Sequence, residues 1–177
     1  MKWKSYLAAR RAKDGSREIA RFFLGDPNAP KPTMRTHLGA NALITWGGKL
    51  LLERRRDSGV WGLIGGGVKR GETSRQAMAR ETWEEIGMRI PPDRFQKLGV
   101  YDGRDRIAAF RDGSVWRMVI VVYTLVLQDP PGMRISPESK ELAFFAPEEI
   151  PGLKIAVTHG DIVGDWLEKM GNGRAET

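Results

Sequence analysis

Apolar and polar positions alternate in short runs along most of this chain, and turn residues separate the runs. Residues 38–45 and 49–55 read as two strands, with Trp46, Gly47 and Gly48 between them as a tight hairpin connection. Residues 61–64 read as a short strand that runs into the glycines at 65–67. A helical pattern follows. Met78, Ala79, Thr82 and Ile86 share one side of a wheel, while Glu81, Glu84 and Glu85 share another. Thr73 and Gln76 predict a capping box at the start of this helix, and Gly87 fits the left-handed position after its end. Pro91 and Pro92 stop any continuation.

Beyond the prolines, residues 95–101 predict a strand, and residues 107–111 and 115–127 predict a hairpin about Asp112 and Gly113. Asp129 and Gly132 bound a turn, and residues 141–145 form one more strand. Residues 147–151 suggest a single helical turn. Residues 158–170 suggest a closing helix with Ile162, Val163, Trp166 and Leu167 apolar. At the other end, residues 3–24 predict one or two short helices, interrupted near Asp14, Gly15 and Ser16. Tyr6, Leu7, Ile19, Phe22 and Phe23 would pack on the domain or on a second subunit, so a homodimer is one expectation. Residues 26–32 are a proline-rich connector. Strands with few, separated helices indicate an α+β protein. There is no internal repeat and no low-complexity tract.

The acidic helix carries the chemistry. Carboxylates at i, i+3 and i+4 repel one another unless a cation lies among them, and oxygen-only ligands suit Mg²⁺ or Mn²⁺. A glycine loop and a helix N-terminus beside such an ion suggest a phosphate-bearing substrate. An acidic face alone is usually a solvated face. Here Gly66, Glu72, Arg80, Glu81, Glu84, Glu85 and Gly87 stand at the spacing G-x5-E-x7-R-E-x2-E-E-x-G. At ordinary residue frequencies a chance match in such a chain is on the order of one in a million.

Residues 66–88 resemble the box of the Nudix hydrolase family. Two departures stand out: Thr82 follows Arg80 and Glu81 where the family has an apolar residue, and Ile64 stands before the glycines where the family often has proline. The resemblance extends over roughly residues 36–170. It implies an α/β/α sandwich with a mixed β-sheet between helices, and a metal-dependent hydrolase that cleaves a diphosphate bond in a nucleoside diphosphate linked to another moiety. Water would attack phosphorus, with Mg²⁺ or Mn²⁺ as cofactor. Glu84 and Glu85 are the first choices as ligands. Glu81 is a third ligand or the general base, and both roles remain open. The family also implies a backbone carbonyl from Gly65 or Gly66, and often one more glutamate from outside the box, for which Glu138 and Glu141 are the candidates. Glu72 would support the loop or the surroundings of the metal, and Arg80 would orient a glutamate or contact phosphate. His37 and His159 read as surface or capping residues, and Trp61 as core, with stacking on a nucleobase as its alternative role.

Composition adds boundaries. The chain of 177 residues has no cysteine, which removes disulfide and thiolate chemistry and suits a cytoplasmic location. No signal peptide and no membrane span are expected, since the longest apolar run lies within residues 118–127. The net charge is +7, and residues 1–38, with nine basic and three acidic residues, hold six of the seven. The expected division is a basic helical extension with connector at 1–35 and a Nudix hydrolase domain at 36–177. The partner is a small nucleotide-type substrate rather than a nucleic acid. A different class of function remains alongside: a catalytically silent Nudix-fold module that binds nucleotide or RNA through the basic segment.

Overall fold

The computed structural model describes residues 6–11, 17–129 and 132–174. Ten strands occur among them: β1 (Tyr6–Arg11), β2 (Arg17–Phe23), β3 (His37–Trp46), β4 (Lys49–Arg55), β5 (Trp61–Gly62), β6 (Ile64–Gly67), β7 (Gln96–Tyr101), β8 (Ile107–Phe110), β9 (Val115–Leu127) and β10 (Ser139–Phe145). Two helices, α1 (Ser74–Ile86) and α2 (Gly160–Arg174), complete the fold with short 3₁₀ turns.

The strands run β1-β2-β8-β9-β3-β4-β10 across one mixed sheet, with β5 on β4, β6 on β3 and β7 on β9. Parallel pairing of β3 with β9, from His37↔Met118 to Trp46↔Leu127, forms its centre. Alternation along these strands splits the core in two. Ala40, Ala42, Ile44, Leu51, Val121, Tyr123 and Leu125 pack beneath Ala77, Met78 and Ile86 of α1. Leu43, Leu50, Leu52, Ile120 and Val122 pack against Ile162, Val163 and Trp166 of α2. The expected layering, a mixed sheet between helices, is the observed one.

Local signals are met closely. Thr73 Oγ1 accepts from Gln76 N at 3.2 Å, Gln76 Oε1 accepts from Thr73 N at 2.8 Å, and Gly87 sits at φ 73°. Gly47 and Gly48, both at positive φ, make the two-residue turn between β3 and β4. Thr82, in the position where an apolar residue was expected, is fully buried; its hydroxyl donates to the Met78 carbonyl at 2.7 Å, which removes the cost of an unsatisfied polar group.

The N-terminal segment departs from expectation. Residues 6–11 and 17–23 are not helices but an antiparallel strand pair, and β2 continues onto β8 through Ala20↔Phe110 and Phe22↔Ala108. Phe23 is buried with Ile107 and Val115. The strand partners are supplied by residues some 85 positions away, beyond the reach of local periodicity. The packing expected of Tyr6, Leu7 and Ile19, the interruption at residues 14–16 and the tip of the turn at 130–131 lie outside the described residues or side chains. Among the described residues no helix is long and apolar enough to cross a membrane.

Candidate active site

A cavity of about 450 Å³ opens where β3, β6, β9, α1 and the β2–β8 ribbon meet. Its glycine wall is β6. Gly65 has φ 144°, and a Cβ there would lie 2.1 Å from the Ala40 carbonyl oxygen and 2.7 Å from Asn41 Cα. No side chain fits between β6 and β3 at this point. Buried Asn41 reinforces the approach, its Nδ2 donating to the carbonyl of Ile64 at 3.4 Å. At Gly66 a Cβ would meet Glu81 Oε1 at 2.5 Å, so the bare backbone lets the glutamate lie against the loop.

The acidic helix divides its glutamates between two environments. Glu81 and Glu85 line the cavity, and Glu85 Oε2 accepts from the Gly65 N–H at 2.9 Å. Glu84 is exposed and turned outward, 3.0 Å from Arg80 Nη1 and 3.6 Å from Lys69 Nζ. Arg80 organises the loop. Its Nη2 donates to Glu72 Oε1 at 2.7 Å and to the Gly67 carbonyl at 3.0 Å, its Nε donates to Glu72 Oε2 at 3.1 Å, and its Nη1 donates to Glu81 Oε1 at 2.7 Å. Glu72 also accepts from Lys69 N at 2.7 Å. The Arg80 guanidinium holds the Glu72 carboxyl down to about 2. Glu72 is thus a loop fastener, and Arg80 links that loop to the glutamates.

Of the two outside candidates, Glu138 lines the cavity, while Glu141 pairs with Arg54 at 3.6 Å away from it. The sequence reading missed Glu53. This residue is 3% exposed on β4, lines the same cavity, and accepts at Oε1 from Ser139 Oγ at 2.6 Å; Ser139 in turn touches Ser136 at 2.9 Å. Its only sequence signal was an acid inside an otherwise apolar strand, Leu50-Leu51-Leu52-Glu53, where strand alternation alone does not say which end of the sheet it faces.

Burial raises the Glu53, Glu81 and Glu85 carboxyls above their ordinary range. For Glu85 the shift is large, with Glu53 and Glu81 adding repulsion to the desolvation. Buried carboxyls that repel one another form a site that favours a positive charge. Among the described residues no group of three or more His, Cys, Asp and Glu side chains is arranged to hold an ion alone. The all-oxygen donor set still fits Mg²⁺ or Mn²⁺. Mg²⁺ is ordinarily held by one or two carboxylates, keeps several waters and takes phosphate oxygens from the substrate.

His159 is not a surface residue. It lines the cavity, and its Nδ1 accepts from the Leu63 N–H at 3.1 Å where β5 gives way to β6. Burial, then the cations Arg106 and Arg55, lower its pKa to about 3, so it stays neutral. His37 also lines the cavity, edge-on to Trp116 with ring centroids 6.0 Å apart. Trp61 is core, packed edge-on against Phe145.

The chain matches the model of the NUDIX domain over residues 35–165. It is 30% identical over 133 residues to a MutT-like protein of Streptomyces ambofaciens, covering 73% of this chain and 76% of that protein. It is 30% identical over 133 residues to an ADP-ribose pyrophosphatase of Methanocaldococcus jannaschii, covering 73% of this chain and 72% of that protein. Its fold is similar, with a TM-score of 0.62 and 20% identity, to a bifunctional NMN adenylyltransferase/ADP ribose pyrophosphatase of Francisella tularensis solved with AMP and manganese. That match covers 81% of this chain, which spans only 43% of the larger protein.

Proposed function

Since the chain belongs to the Nudix family and is a pyrophosphohydrolase, we propose that it hydrolyses the diphosphate bond of a nucleoside diphosphate linked to another moiety, with Mg²⁺ or Mn²⁺ as its cofactor. The observation that carries this reading is the set of desolvated carboxyls, Glu53, Glu81 and Glu85, gathered against the Gly65–Gly67 backbone in one cavity. The relatives named for ADP-ribose hydrolysis support the substrate class.

Glu81 and Glu85 would hold the ion from the helix, with Glu53 facing them across the cavity, the Gly65 carbonyl beside them and Glu84 at the outer edge. When bound, the ion would neutralise phosphate oxygens and make a water acidic enough to attack. The chain's own residues do the rest. Arg80 holds Glu81 and Glu84 in place, and the Gly65 N–H fixes Glu85, so the carboxylates are oriented before substrate arrives. Water adds to phosphorus as the bridging P–O bond breaks, and its proton passes to a cavity carboxylate.

The test is a product assay on a panel of nucleoside diphosphate derivatives with Mg²⁺ or Mn²⁺, with and without a chelator, alongside Glu85→Gln. Turnover should require the metal and fall by on the order of 10²-fold in the variant. Metal-independent turnover that survives Glu85→Gln would overturn the reading.

A further inference from the structure

His159 spends only one of its two ring nitrogens on the protein. Its Nδ1 accepts from the Leu63 N–H. An imidazole nitrogen that accepts carries no proton, so the neutral ring holds its proton on Nε2. Among the described residues that second N–H meets no acceptor. The ring is partly exposed and lines the cavity, and Nε2 is not one of the sealed, unpartnered polar atoms of the core. A metal ligand or a general base needs a bare nitrogen, and the only bare nitrogen here is turned to Leu63. What remains on offer is a donor.

The donor stands at the glutamate end. A Cβ on Gly62 would lie 3.1 Å from His159 Nδ1 and 3.4 Å from Cε1, so the ring takes the space that a side chain on β5 would fill. Gly62 is the direct cross-strand partner of Glu53, and such partners face the same side about 5 Å apart. The imidazole is held firmly there. Ala156 N donates to the Trp61 carbonyl at 2.7 Å, and His159 N donates to the Ala156 carbonyl at 2.9 Å. Arg106, 1% exposed, donates to the Thr158 carbonyl and to Asp161 Oδ2 at 2.5 Å. The fields of Arg106 and Arg55 reach the ring, so the surroundings suit an anion. We propose that the His159 Nε2–H donates a hydrogen bond to a non-bridging oxygen of the substrate's diphosphate. A ring already fixed to the backbone loses little freedom in making that bond. The inference rests on the nucleoside diphosphate reading above, and it adds a substrate-binding residue from the segment that leads into α2.

The test exploits the two amides that resemble the two halves of the ring. His159→Asn keeps an acceptor near Nδ1 and has no donor at Nε2, whereas His159→Gln reaches the Nε2 position with an N–H. Each full-length protein, with Mg²⁺, is titrated with adenosine 5′-(α,β-methylene)diphosphate, which has no hydrolysable bridge, and with adenosine. His159→Asn should weaken the analogue roughly 10- to 100-fold, the loss of one hydrogen bond to a charged group, and leave adenosine unchanged. His159→Gln should stay within about threefold of wild type. A purely structural role gives the reverse order, since asparagine is then the better substitute. The wild-type protein supplies a second measurement should either variant fail to fold. In its ¹⁵N spectrum, with the other imidazole removed by His37→Asn, the protonated Nε2 of His159 should shift on adding the analogue and not on adding adenosine. Equal binding by wild type and His159→Asn overturns the proposal. So do an equal loss in both variants, an unmoved Nε2 resonance and undetectable binding of the analogue to wild type. The expected binding pattern with no hydrolysis of any nucleoside diphosphate derivative would instead overturn the reaction and leave the hydrogen bond standing.

Discussion

Replacing His159 by asparagine should make the fold less sensitive to acid. His159 takes part as a neutral acceptor, with the Leu63 N–H on its Nδ1, and its pKa in the fold is about 3 against an ordinary value of 6.5. Below the ordinary value the unfolded chain binds a proton that the folded chain refuses, so the stability due to this group is fully present above about pH 6.5 and is lost as pH falls toward 3. Each pH unit inside that window is worth about 1.4 kcal/mol, so the loss between about pH 7.5 and pH 5 is about 2 kcal/mol. For a chain of this size that is about 4–8 °C in Tm. The raised carboxyls of Glu53, Glu81 and Glu85 act in the opposite direction, their folded forms gaining stability as they take up protons. The quantity to measure is therefore the difference between wild type and variant in thermal melts at several pH values and fixed ionic strength. Asparagine keeps an acceptor near the Leu63 N–H and cannot titrate, so its curve should lack the acid-side fall. Parallel curves for the two proteins would refute the reasoning, because the imidazole would then be titrating alike in the folded and unfolded chains.

Three further outcomes are expected. Glu84→Gln and Glu85→Gln should each lower turnover by on the order of 10²-fold while circular dichroism stays native, whereas Glu141→Gln, which only loses a surface pair with Arg54, should stay near wild type. Millimolar Mg²⁺ should raise the Tm by mass action, and chelation should reverse the rise and abolish turnover; a Tm indifferent to metal would count against an organised site in the free protein. Arg80→Met should cost about 2–4 kcal/mol in denaturant unfolding, because Glu72 and Glu81 each lose their guanidinium partner in a partly buried cluster; a cost below about 1 kcal/mol would show that the cluster is only a solvated network.

The sequence alone determined whatever depends on neighbours along the chain. The Thr73–Gln76 capping box, the Gly87 stop and the Gly47–Gly48 turn were readable because each is a contact within a few residues. So was the glycine–glutamate spacing that places the chain in its family. Tertiary structure decided the rest. Residues 6–11 and 17–23 are strands because β2 finds β8, a pairing that no helical or strand periodicity in the segment itself could announce. Glu81 and Glu85 face the cavity while the adjacent Glu84 turns to Lys69, because β6 approaches only one flank of the helix. Glu53 becomes a buried partner of these glutamates only when β10 brings Ser139 across 86 positions. His159 becomes a neutral acceptor only when the chain returns 96 residues after Leu63. Local hydrogen bonds and steric limits are encoded within a few residues, whereas burial and charge coupling belong to groups that meet only when distant strands close around them.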